Sequence, residues 1–168
     1  LAVATTLDGP WVLAGDSAGG GLALAMCQRL RDMGAPLPQA VALSSPWVDL
    51  TLTNPATIAY AREDPMLTIA GTLRCAQAYA GTADRADPGI SPLFGDLSGL
   101  PPMRVTVGTA ELLLPEVRSL AGRCAAAGTP CEVHEEPGGI HDYALGLGVF
   151  PEADAALAPQ ARFLAAHP

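Results

Sequence analysis

Ser17 sits at the centre of Gly15-Asp16-Ser17-Ala18-Gly19, a G-x-S-x-G pattern. The apolar run Trp11-Val12-Leu13-Ala14 precedes it, and residues 21–30 after it carry helical apolar spacing. Strand, tight turn, helix is the local order that makes a serine hydroxyl useful. The hydroxyl is a poor nucleophile until it is exposed, held in place and set beside a base. A sharp strand-to-helix elbow exposes it, and glycines two residues either side leave room for the backbone to turn. The helix N-terminus behind it offers unbonded N–H groups where negative charge would develop on a substrate oxygen. In a chain with 18 glycines the bare pattern is weak evidence, and its flanks give it weight. The competing reading is a glycine-rich loop with an incidental serine.

A serine nucleophile needs a general base, and the base needs a group to hold its tautomer. The chain has 3 histidines: His134, His141 and His167. His167 is the penultimate residue, and His134 falls in an expected strand, where an imidazole packs or faces solvent. His141 lies in the loop Gly138-Gly139-Ile140-His141-Asp142, after a strand, where open α/β sheets gather their functional groups. It is the expected base; the alternative is an ordinary polar loop histidine. The expected acid is Glu111, in the apolar run Gly108-Thr109-Ala110-Glu111-Leu112-Leu113 just past another strand. A carboxylate there could accept the Nδ1–H of His141 and leave Nε2 free for Ser17. Glu116, about one helical turn on, and Asp142, next to the base, are the rivals. Asp142 would have to fold back on its own neighbour.

Strands are expected over 11–14, 40–45, 103–108 and 131–135. Helices are expected over 21–30, 67–79, 115–127 and 152–166, with Pro159 marking a break in the last. Residues 47–66 and 81–102 read as irregular, punctuated by Asn54-Pro55, Asp64-Pro65, Asp87-Pro88-Gly89 and Pro101-Pro102. The alternation predicts an α/β fold, a mostly parallel sheet with helices on both faces in three layers. At 168 residues, with no repeat and no linker, one domain over 1–168 is expected.

Composition excludes several classes. Hydrophobic residues make up 49% and charged residues 15%, yet no run has the length of a membrane span. The net charge is −8, and all 9 basic residues are arginines without a cluster, which argues against nucleic-acid binding. The 4 cysteines form no C-x-x-C pair and no metal spacing. They read as free thiols, two on helix faces, in a reducing cytoplasmic setting; Cys124 and Cys131 are near enough in sequence to bridge, though nothing requires it. No metal or cofactor is expected.

The motifs together resemble the hormone-sensitive-lipase-like α/β hydrolases, a family that includes bacterial carboxylesterases. The resemblance runs through Gly15-Asp16-Ser17-Ala18-Gly19-Gly20, Ser45-Pro46-Trp47-Val48-Asp49-Leu50, Asp64-Pro65-Met66-Leu67 and Asp87-Pro88-Gly89-Ile90-Ser91-Pro92-Leu93. It continues through Leu100-Pro101-Pro102-Met103 and Val107-Gly108-Thr109-Ala110-Glu111 to Gly139-Ile140-His141-Asp142-Tyr143. It implies Ser17 as nucleophile, Glu111 as acid, His141 as base and the Ala18 N–H as an oxyanion donor. Small-molecule esters with short to medium acyl chains are the implied substrates. Glu111 stands where many members carry Asp.

The family also carries a His-Gly-Gly-Gly-type segment upstream of the elbow, and none precedes Gly15 here. The expectation is therefore a domain that is truncated at its N-terminus, weak in activity on its own, and open to self-association through the bare edge of its first strand. Two other readings compete: a non-catalytic small-molecule-binding module on the same fold, and an inert fragment.

Overall fold

The computed structural model describes residues 4–7 and 9–167. Four parallel strands form one sheet in sequential order: β1 (Leu13–Asp16), β2 (Val41–Ser44), β3 (Met103–Gly108) and β4 (Cys131–Glu136). The helices are α1 (Ser17–Asp32), α2 (Thr57–Tyr60), α3 (Ile69–Ala80), α4 (Leu114–Ala127) and α5 (Pro151–Ala165). Parallel neighbours require crossovers, and α1 and α4 supply two of them.

Side-chain alternation divides the sheet into two unlike faces. Val41, Leu43, Met103, Val105 and Val107 join the main core with Leu24 and Cys27 of α1 and Leu114, Val117, Leu120 and Cys124 of α4. The helical residues recur at three- and four-residue steps, which puts them on one stripe of each helix. The opposite face carries small and polar residues, Ala42, Ser44 and Thr106, and packs under α5. There Gln160 donates to the Leu43 carbonyl at 3.1 Å and to Thr106 Oγ1 at 2.9 Å, satisfying a buried amide. Helix layers on both faces of a parallel sheet make the three-layer α/β fold.

The register sets the site. Asp16 pairs with Ser44, and Ser44 with Thr106. The next residues, Ser17 and Ser45, therefore emerge side by side at the carboxyl ends of adjacent strands. Both are non-glycine residues with left-handed backbone, φ +47° and +42°.

Several expectations need correction. The first strand is Leu13–Asp16, later than 11–14, and α1 starts at Ser17 itself. A short helix, α2, interrupts the expected loop. α5 runs unbroken through Pro159. The carbonyl that loses its donor there belongs to Ala155, which is exposed, so water can take over. Cys27, Cys75 and Cys124 lie on helices, three rather than two, and all four cysteines are free thiols.

Candidate active site

Glu111, His141 and Ser17 form a continuous hydrogen-bonded line. His141 Nδ1 lies 2.8 Å from Glu111 Oε2, and His141 Nε2 lies 2.9 Å from Ser17 Oγ. A carboxylate only accepts, so Nδ1 carries the proton and the Nε2 lone pair faces the Ser17 hydroxyl. Glu111 is fully buried and the His141 side chain 5% exposed, whereas Ser17 is half-buried. The Ser17 end of the line is the end open to solvent.

Each member is placed by a strand end. Ser17 turns sharply from β1 into α1, and its Ala18 and Gly19 neighbours begin the helix. The Ala18 N–H belongs to the first turn, where α-helical amides have no partner within the helix. Glu111 follows β3, and its Oε1 accepts the Gly108 N–H and, at 2.7 Å, the Ser45 hydroxyl. His141 follows β4. The two loops are stitched together: Thr109 N–H donates to the Glu136 carbonyl and Ala110 N–H to the Gly139 carbonyl, both at 2.9 Å. Gly138 N–H reaches Thr109 Oγ1 at 2.8 Å. The approach is close enough that a Cβ on Gly108 would strike the Gly139 backbone.

Burial pushes the pKa of His141 down, but the Glu111 hydrogen bond and the charges of Asp142, Glu111 and Asp64 outweigh it, so the net shift is upward. Asp142 does fold back on His141, with Oδ2 at 3.4 Å from Nε2, the nitrogen that faces Ser17. It does not contact Nδ1, which Glu111 occupies. Burial raises the Asp142 carboxyl to about 6, with the Asp16 and Glu111 charges adding and His141 opposing.

The remaining candidates lie elsewhere. Glu116 is fully buried but takes the Thr57 hydroxyl at 2.7 Å. His134 faces Glu136 at 3.1 Å, and His167 faces the Phe163 carbonyl at 2.8 Å. Two apolar grooves lie beside the elbow, at Ser17 and Ala18. One of about 630 Å³ is lined by Ser17, Trp47, Met66, Leu67 and Leu113. The other, about 310 Å³, is lined by Leu22, Leu50, Tyr79 and Ile90. They meet at Ala18, Trp47 and Cys75.

Comparison with known proteins bears on this arrangement. A family described as alpha/beta hydrolase fold matches residues 6–145. The chain belongs to that family. Within it, the chain is of the hormone-sensitive-lipase-like kind. It is 40% identical over 152 residues to an acetyl-hydrolase of Streptomyces hygroscopicus, covering 90% of this chain and 51% of that one. An esterase of Acinetobacter venetianus is 34% identical over 153 residues, covering 90% and 50%. The crystal structure of a hormone-sensitive lipase from a metagenome library superposes with TM-score 0.90 at 35% identity, covering 93% of this chain and 52% of that one. The chain thus spans about half the length of the relatives it matches.

Within the hydrolase fold two polar residues escaped the sequence reading. Ser45 bonds Glu111, as above. Asp64 accepts the Met66 and Leu67 N–H groups through Oδ1 and the Leu112 N–H through Oδ2 at 2.8 Å. It ties the segment before α3 to the residue after Glu111. Both stand directly before a proline: Ser45 reads as the end of a strand and Asp64-Pro65 as turn punctuation, neither as chemistry.

Proposed function

We propose that this chain carries the nucleophile, base and acid of a serine carboxylester hydrolase. The observation that carries the reading is the unbroken line from Glu111 through His141 to Ser17. Ser17 Oγ attacks the ester carbonyl while His141 Nε2 takes its proton. Glu111 holds the required tautomer and faces the imidazolium that forms. The Ala18 N–H donates to the developing oxyanion; loss of one such donor typically costs about 10²–10³ in rate. His141 then protonates the departing alcohol, leaving an acyl group on Ser17. Water, deprotonated by the same imidazole, attacks that acyl group and regenerates the hydroxyl.

The apolar walls beside Ser17 support acyl esters of short to medium chain as substrates. The acetyl-hydrolase and esterase relatives support the same class. No helix among the described residues is long and apolar enough to cross a membrane. The free thiols support a reducing, cytoplasmic setting. Among the described strands β1 pairs only with β2, and Val12 just before it and Ala14 within it are exposed, which supports self-association through that edge. Light scattering across a concentration series tests it.

The function is tested by a fluorophosphonate probe and a short-chain nitrophenyl ester. Ser17 is expected to be the labelled residue, and Ser17→Ala to abolish both labelling and hydrolysis. Labelling that survives this substitution overturns the assignment.

A further inference from the structure

Ser45 is 1% exposed and lines neither groove. A hydroxyl has one proton to give and lone pairs to receive. The proton goes to Glu111 Oε1 at 2.7 Å, and a lone pair receives the Asp142 N–H at 3.2 Å. One oxygen thus touches both the acid and the residue that follows the base. β2 lies between β1, which leads into Ser17, and β3, which leads to Glu111, and this brings Ser45 to this point.

A glutamate carboxyl rotates easily about its last bond. The Ser45 hydroxyl and the Gly108 N–H both hold Oε1, so only Oε2 is presented to His141 Nδ1. Ser45 does this from φ +42°, a strained backbone for a residue with a Cβ. A loop that needed only to turn here would be better served by glycine. The hydroxyl is what glycine lacks.

We propose that Ser45 is the positioning residue that fixes the rotation of the Glu111 carboxylate and the seat of the His141–Asp142 loop. The proposal rests on the hydrolase reading above, since it assigns what Ser45 does for that site. Two variants separate the hydroxyl from the strain. Ser45→Ala removes the hydroxyl and keeps the strained backbone; Ser45→Gly removes both. The readouts are the titration of the His141 ring by NMR with labelled histidine, assigned with His141→Gln, and steady-state ester hydrolysis.

With Oε1 released, the carboxylate turns and the contact that raises His141 weakens. The ring midpoint is expected to fall in both variants, with kcat down at least tenfold and KM within twofold. A natively folded Ser45→Gly whose His141 midpoint stays at or above the wild-type value overturns the proposal. So does a kcat within twofold of wild type. Absence of Ser17-dependent labelling in the wild type overturns the hydrolase reading instead, and the ring titration then still decides for or against Ser45.

Discussion

Asp142 Oδ2 lies 3.4 Å from His141 Nε2, on the opposite side of the ring from the Glu111 contact. The imidazole therefore meets a carboxyl group at each nitrogen. This helps hold it protonated to higher pH than an ordinary histidine. Only the neutral ring can act as base, so the acid limb of the rate profile is expected to have its midpoint above the usual value of about 6.5. Asp142→Asn removes one of the charges that raise it, and the midpoint should move to lower pH. A kcat/KM profile of wild type and variant checks both statements. An unmoved midpoint in Asp142→Asn would show that Asp142 does not act on the ring.

Glu111→Gln keeps the size of the side chain and replaces one carboxylate oxygen by a donor. The amide can face Nδ1 with its NH₂ group and favour the wrong tautomer. The expected result is a loss of kcat by about 10²–10⁴ with the fold retained. Glu111→Asp keeps the charge but shortens the reach, and should lose less. Circular dichroism and steady-state kinetics on both variants distinguish charge from length.

Gly108→Ala places a methyl where the Gly139 backbone stands. The acid and histidine loops must part, and displacement of about 1 Å in such a site costs about 10² in rate. Crowding of this kind also costs about 1–3 kcal/mol of stability. Kinetics and urea unfolding measure the two effects, and a variant with wild-type kinetics would deny the loops their positioning role.

Glu116 offers a prediction about stability instead. Burial raises its carboxyl from 4.5 to about 7, against the Thr57 hydrogen bond that lowers it. Oε2 has no hydrogen-bond partner. A carboxyl raised on folding contributes its stability below pH 4.5 and loses it as pH rises through about 7. The ionised form is then a burden of about 3 kcal/mol. Glu116→Gln should match wild type near pH 4 and exceed it above pH 8. Urea midpoints at the two pH values test this, and equal differences at both would place the carboxylate in contact with solvent.

How far the sequence reaches is clearest at two places. β3 is legible to the residue because Met103-Arg104-Val105-Thr106-Val107 is apolar, β-branched and bounded by Pro102 and Gly108. The start of α1 is not. Gly19 and Gly20 are weak helix formers and read as turn, which puts the expected start at Gly21. Tertiary packing overrides this: a Cβ at Gly20 would meet Pro46, and one at Gly21 the Trp47 carbonyl. Gly20 and Gly21 are small because the loop after β2 rests on the helix, and no local pattern announces a neighbour about 26 residues away. Likewise Ser17, Glu111 and His141 stand out by type and by their place after strands. Ser45 and Asp64 do not, because their partners are fixed only when three strand ends come together.

The contact between Ser17 and His141 spans 124 residues. Ser17 precedes His141 in the chain, and among the described strands β4, which leads to His141, pairs with β3 alone. During synthesis Ser17 therefore lacks its imidazole partner until the segment that follows β4 has left the ribosome. Contacts of such separation form late because the loop-closure entropy comes first. On the proposed mechanism, nucleophilic reactivity at Ser17 reports that β4 has docked, and a chain stalled before β4 would carry the serine without its base.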